Sequence, residues 1–152
     1  MNPQAAQTYL RTRVLTATPE QLQMMLYDGA LRFAEQGRLA LEKKDYEGTY
    51  NSVSRCQKII TEMTCSLKHQ VAPDLCKRLA ALYNYIFRKL IEASTVHKIE
   101  AIEEAISLLK FQRETWAMLL DKLAREKAAT HASKLDMPEP SERMEAMISM
   151  QG

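Results

Sequence analysis

Apolar residues recur at helical spacing along most of the chain. From Thr18 onward Leu22, Met25, Leu26, Gly29, Phe33, Gly37 and Ala40 form one stripe, the pattern of a helix with one face turned to a core. Met24, Tyr27 and Leu31 fall outside that stripe. This helix therefore carries more apolar surface than one buried face needs. Either it is buried on two sides in a bundle, or part of its surface is kept for a partner. Its start is well marked. The Thr18 hydroxyl can accept from an amide of the first turn, Pro19 sits where a missing N–H costs nothing, and Gln21 completes a capping box. Losing that cap costs about 1 kcal/mol.

Three more periodic stretches lie beyond it. The charged run 42–45 ends the first long helix near Lys43, and Asp45 is a candidate cap for a second that runs to about His69. Tyr46, Tyr50, Val53, Gln57, Ile60, Met63 (or Thr64) and Leu67 mark its inner face, with Ile59 outside. Pro73 fits the first turn of a third helix reaching about Ala93, with Leu75, Leu79, Leu82, Tyr83, Ile86 and Leu90 inward and Phe87 and Ile91 beside them. After a turn at 94–97, a fourth helix runs from about Lys98 to Lys127. Its seam is Ile99, Ile102, Ile106, Leu109, Arg113, Trp116, Leu120 and Leu123, at the alternating spacings of a bundle. Leu108, Phe111, Met118 and Leu119 stand beside it.

Helices of this length are roughly 38 Å long, and short turns make them antiparallel neighbours. The expected fold is all-α, an antiparallel up-down four-helix bundle over residues 18–128. A short arm over 1–17, helical from Pro3 to about Arg13, precedes it. A disordered tail is expected over 129–152, with a weak helical stretch near 141–150.

Composition agrees with helix. The 152 residues include only 4 Gly and 5 Pro but 9 Met, and 46% are apolar. A net charge of +2 gives no footing for nucleic acid or for an anionic membrane surface. No stretch approaches the roughly 18 apolar residues of a membrane span, and the N-terminus lacks the apolar run of a signal peptide. Cys56, Cys65 and Cys76 form no CxxC and read as reduced, partly buried thiols of a cytoplasmic protein.

A four-helix bundle raises the question of a di-metal carboxylate site, which needs Glu-x-x-His on two helices. The residues three before His69, His97 and His131 are Ser66, Ser94 and Ala128, so that pattern is missing. There is no glycine-rich phosphate loop. No catalytic residue, metal ligand or cofactor is expected. Asp28, near the inner side of the first long helix, would need a partner if buried, and Arg113 or Arg88 is the expected one. The alternative is that both arginines reach solvent along their methylenes.

Three blocks carry a more specific signal. The first is Tyr9, then Thr16-Ala17-Thr18-Pro19 and Leu22, then Met25-Leu26-Tyr27-Asp28-Gly29-Ala30-Leu31 and Phe33. The second runs from Leu82-Tyr83-Asn84-Tyr85-Ile86-Phe87-Arg88 through Lys89-Leu90-Ile91-Glu92-Ala93, and the third is Leu109, Arg113, Thr115 and Trp116. In order and spacing they resemble the flagellin-specific export chaperones, the FliS family, over about residues 9–120. The chain departs from that pattern at Thr12, Thr64 and Val71-Ala72-Pro73.

The resemblance implies a cytoplasmic helical bundle that wraps the disordered C-terminal segment of flagellin. It thereby prevents premature polymerisation and assists delivery to the export gate protein of the flagellar type III apparatus, without catalysis. It also implies an N-terminal arm able to cover the client groove, and a role for Tyr9 in client and export-gate contacts. From pattern alone the expected contacts are Leu10, Val14, Leu15, Met24, Leu31, Ile59, Leu108 and Phe111, each of which fits the core equally well. Tyr27, Gly29, Tyr83, Arg88 and Trp116 are expected to serve the structure first. Two other readings stay open: a metal protein or enzyme on a helical bundle, and a structural bundle that uses its extra stripe for weak self-association.

Overall fold

The structure, a computed structural model, describes residues 2–136 and 140–150. Its elements are the helices α1 (Pro3–Thr16), α2 (Pro19–Glu42), α3 (Tyr46–Cys65), α4 (Pro73–Val96), α5 (Ile99–Leu135) and α6 (Pro140–Met150). The chain divides into two compact units, residues 1–116 and 117–152. The four-helix bundle lies in the first and is made by α2, α3, α4 and the first half of α5.

Local chemistry sets the helix ends. Asn2 accepts from the Gln4 amide at 3.1 Å to start α1. At α2 the expected capping box is present: the Gln21 amide donates to Thr18 Oγ1, and the Thr18 amide donates to Gln21 Oε1, both at 3.1 Å. Asp45 caps α3 by accepting from the Gly48 amide at 3.0 Å. The α2–α3 turn is tight, and Lys44 takes the left-handed conformation at φ 59°. His97, the residue after α4, does the same at φ 59° and stacks on Tyr46 with ring centroids 3.7 Å apart. That stack ties the α2–α3 turn to the α4–α5 turn at one end of the bundle.

The contacts make neighbouring helices antiparallel. From α2 to α3, Gly29 faces Ile59 and Gly37 faces Val53. From α2 to α5, Asp28 meets Arg113 and Glu35 meets Lys110, while Gly37 faces Ile102. From α4 to α5, Tyr85 and Lys89 meet Glu104 and Glu92 meets Lys98.

The core selects small residues where helices approach closely. On α2 the buried line is Tyr27, Ala30, Ala34, Gly37 and Leu41. This is one residue away from the expected stripe: Leu26 and Phe33 are only partly buried at its flank, and Tyr27 is inside. On α3 the buried line is Thr49, Val53, Cys56, Ile60 and Met63. Tyr46 and Tyr50, expected inside, are exposed, as is Leu75 on α4. The seam between α2 and α3 is marked by small side chains: Gly37 faces Val53, and the Ala30 carbonyl accepts from the Cys56 thiol, so the inward line of α3 runs through Val53 and Cys56 and turns Tyr46 and Tyr50 outward. A Cβ on Gly37 would sit 3.1 Å from Ile102 Cδ1 and 3.4 Å from Val53 Cγ2.

Other bounds shift. α3 ends at Cys65, short of the expected His69, with Ser66 as its cap and the Ser66 hydroxyl donating to the Met63 carbonyl at 3.0 Å. α5 continues to Leu135, past the Lys127 where the pattern ended it.

In the second unit, residues 117–136 and 140–150 include no side chain described as buried. α6 spans the stretch where a helix was expected near 141–150. Residues 137–139 and 151–152, part of the expected tail, lie outside the described residues.

Candidate partner-binding surface

The residues of the three sequence blocks converge inside the first unit. Tyr27 on α2 and Tyr83 on α4 place their hydroxyls 2.8 Å apart across the bundle. Burial, and then the hydrogen bond with Tyr27, hold the Tyr83 phenol well above its ordinary range, so it stays protonated at any physiological pH. Gly29 lets Ile59 approach: a Cβ there would meet Ile59 Cδ1 at 3.1 Å. The Trp116 indole N–H donates to the Glu20 carbonyl at 2.9 Å, tying α5 to the first turn of α2.

Asp28 pairs with Arg113 and not with Arg88. The pair is not the buried one that the inner position of Asp28 implied. The carboxylate side chain is 51% exposed and the guanidinium 35%, so solvent screens it and its worth is that of a surface fastening. The hydrogen bond to Asp28 is the first cause that raises the Arg113 pKa.

These residues hold helices together and offer no reactive group. The Cys56 thiol donates to the Ala30 carbonyl at 3.3 Å, and burial pushes its pKa up to about 12. A thiol so poor in thiolate is inert. Cys76 is also buried, whereas Cys65, expected to be partly buried, is exposed. Among the described residues no three His, Cys, Asp or Glu side chains group as a metal site.

The apolar groups left outside the core are what a partner can use. α1 has no buried residue at all. Tyr9, Leu10, Val14 and Leu15 are all exposed on it, Tyr9 at 68% and Leu15 at 75%. Phe111 on α5 is equally open at 67%. Met24 and Leu31 are half-buried on α2, and Leu31, Ile59 and Leu108 pack against the edge of the core. The nine expected contact residues therefore do not form one patch. Four share α1, one stands free on α5, three pack at the edge of the core, and Met24 is half-buried on α2.

Sequence reasoning missed one surface. An open groove of about 660 Å³ runs between α3 and α4, lined by Tyr50, Asn51, Ser54, Arg55, Gln57, Lys58, Thr61 and Phe87. Most of its lining residues are polar; Phe87 is half-buried in it, and Tyr50, Arg55 and Lys58 are exposed along it. The Arg55 guanidinium lies 5.7 Å from the Phe33 ring centroid. The signal was present in the sequence: Thr49, Val53, Cys56, Ile60 and Met63 repeat at alternating spacings of four and three, and taking that line as the core turns Tyr50 outward. Two aromatic side chains beside two cationic ones fit an amphipathic segment that carries acidic residues.

The comparisons with known proteins agree with this architecture. A family model described as "Flagellar protein FliS" matches residues 1–123. The chain is 30% identical over 115 residues to the flagellar secretion chaperone FliS of Bacillus subtilis (strain 168), covering 76% of this chain and 84% of that protein. It is 31% identical over 118 residues to the flagellar secretion chaperone FliS of Salmonella typhimurium, covering 77% and 87%. A crystal structure of a flagellar chaperone from bacteria superposes with a TM-score of 0.65 at 17% identity, covering 78% of this chain and 97% of that one. At that identity the likeness speaks for the fold alone.

Proposed function

The chain belongs to the flagellar protein FliS family, and from that membership we propose that it is a cytoplasmic chaperone for flagellin, binding its disordered C-terminal segment and assisting its delivery to the flagellar export gate. The observation that carries this reading is α1, a helix with four exposed apolar side chains and no buried one. A helix with no packing of its own gains little from folding alone. Tyr9, Leu10, Val14 and Leu15 are thus surface available to a client or to the gate.

The physical logic is that of coupled folding and binding. A disordered amphipathic segment has apolar faces that self-associate when left uncovered, and docking them on a rigid bundle removes that hazard. Ordering the segment costs about 2–5 kcal/mol, which burial of its apolar face must exceed. Met24, Leu31, Ile59, Leu108 and Phe111 are the proposed contacts along the bundle. The α3–α4 groove supplies Tyr50 and Phe87 as anchors and Arg55 and Lys58 for acidic positions of the client. No chemistry is required, in keeping with relatives named as chaperones. No helix of the described residues is long and apolar enough to cross a membrane.

Calorimetric titration of the full chain with a peptide of the host flagellin's C-terminal segment tests the proposal. The expected result is one peptide per chain with a negative heat-capacity change. Leu15→Asp with Val14→Asp should weaken binding at least tenfold while the bundle's thermal unfolding stays unchanged. No detectable complex at tens of micromolar peptide, a range that detects most specific recognition, would overturn it.

A further inference from the structure

Charge is paired unevenly around the bundle. Every ion pair described within residues 1–116 joins side chains of α2, α4, α5 or the turn before α5, and none includes a side chain of α3. The outward side of α3 carries Glu47, Arg55, Lys58 and Glu62, all exposed. Lys58 precedes Glu62 by one turn, the less favourable order for a pair on a helix. The two cations stand together at the middle of the helix, with the acids toward its ends.

A second guanidinium joins them at the α2–α3 edge. The Phe33 ring, partly buried against the core, has Arg32 Cζ 5.1 Å and Arg55 Cζ 5.7 Å from its centroid. Arg32 comes from α2 and Arg55 from α3, and both are exposed. The ring attracts each cation but cancels neither charge, and two like charges gathered on one ring repel one another. A carboxylate arriving from outside relieves that repulsion. Because the ring already positions both forks, less rotamer freedom is lost when they engage an acid. Beyond Arg55 the surface runs on into the α3–α4 groove, with Lys58 one turn along and Tyr50 and Phe87 as its aromatic groups.

We propose that this strip across α3, from Arg32 and Phe33 to Phe87, is where the client is first captured, by charge. The segment it takes is an acidic amphipathic stretch of flagellin, with carboxylates against Arg32, Arg55 and Lys58 and apolar groups on Tyr50 and Phe87. The inference rests on the flagellin reading above and deepens it: it names the chemistry of the segment met first and assigns the rate of encounter to α3. Opposite charges across an interface chiefly raise the association rate, whereas desolvated apolar contacts hold the complex once formed.

Stopped-flow mixing of the full chain with a fluorescently labelled peptide of the host flagellin's C-terminal segment is the test. Association should slow by at least about tenfold between roughly 0.05 and 0.5 M salt. At low salt Arg32→Glu with Arg55→Glu should lower the association rate constant by at least about tenfold and flatten its salt dependence, with dissociation and the thermal unfolding of the bundle nearly unchanged. Arg32→Lys with Arg55→Lys, which keeps the charges, should associate close to the parent rate. Lys122→Glu with Lys127→Glu, an equal change of net charge in the second unit, should keep most of it. A peptide with its Asp and Glu changed to Asn and Gln should bind the parent as slowly as the native peptide binds the Arg32→Glu, Arg55→Glu chain. A parent rate indifferent to salt overturns the proposal. So does an Arg32→Glu, Arg55→Glu chain that associates like the parent, or a second-unit variant that slows as much. In each of these the peptide still binds, so the chaperone reading stands; a parent that binds no peptide overturns both. Capture of an oligonucleotide that depends on Arg32 and Arg55, beside a peptide indifferent to them, overturns it in favour of a nucleic-acid face.

Discussion

Replacing Tyr83 by Phe removes one hydroxyl from inside the bundle and strands another. The Tyr27 and Tyr83 hydroxyls are 2.8 Å apart, and both residues are buried. No described buried side-chain nitrogen or oxygen lacks a partner in the native chain. In Tyr83→Phe the Tyr27 hydroxyl becomes the exception, and an orphaned buried hydroxyl costs about 1–3 kcal/mol. In Tyr27→Phe the Tyr83 hydroxyl still has the Gln23 side chain near it, so the cost falls toward about 1 kcal/mol. Removing both hydroxyls leaves no orphan, and the double variant should lose less than the two singles together by about 1 kcal/mol. Urea unfolding followed by circular dichroism measures all three. A loss of about 2 kcal/mol is roughly a thirtyfold change in the folded-to-unfolded ratio, and it lowers the melting temperature by about 4–8 °C. A Tyr83→Phe protein as stable as the parent, or strictly additive losses, would refute the assignment of this pair as a polar clasp inside the bundle.

Lys44 holds a left-handed conformation at φ 59°, which an L side chain resists, so Lys44→Gly should raise stability by about 1 kcal/mol in thermal unfolding. Gly37→Leu should do the opposite by at least about 1–3 kcal/mol, despite the better helix propensity, because a Cβ already stands 3.1 Å from Ile102 Cδ1. A Gly37→Leu chain that melts with the parent would mean the α2–α3–α5 seam is looser than described. The Glu92 carboxyl is held below its ordinary 4.5 by the hydrogen bond from Lys89 and then by that from Lys98. Its folded pKa is thus depressed, so its contribution is present above the unfolded value and is lost as pH falls through the folded one. The difference in urea midpoint between the parent and Glu92→Gln should shrink below pH 4.5 and at high salt; a difference constant down to about pH 2 would count against that ion pair.

The helices were legible because breakers are scarce and caps are explicit. Thr18, Pro19 and Gln21 announce α2, Asp45 announces α3 and Pro73 announces α4. The faces were harder, and the error has one cause. Bulk was taken as the mark of the interior, so Leu22, Met25, Tyr46 and Tyr50 were turned inward, whereas the buried lines run through Ala30, Ala34, Gly37, Thr49 and Cys56. Hydrophobic weight cannot separate a close helix pair filled by small side chains from a wide one filled by large ones. Charge and position narrowed the partner of Asp28 to Arg113 or Arg88 without choosing between them, and the exposure of the pair was not readable, because it depends on how far α5 stands from α2. The α3–α4 groove escaped notice for the same reason that Tyr50 did.

The signature and the working surface make opposite demands on the chain. A platform that orders a disordered client must not itself lose order on binding, or the ordering cost is incurred twice. The block residues Tyr27, Gly29, Tyr83 and Trp116 answer that demand: they clasp α2 to α3, α4 and α5. Interior constraints of this kind tolerate little change in volume. The surfaces proposed for partners are under no such constraint. α1 buries nothing, and the groove asks only that Tyr50 and Phe87 keep an aromatic surface beside Arg55 and Lys58. Client specificity should then be adjustable at Leu15 or Phe87 without loss of fold, whereas the residues by which the family is recognised are those that substitution should damage most.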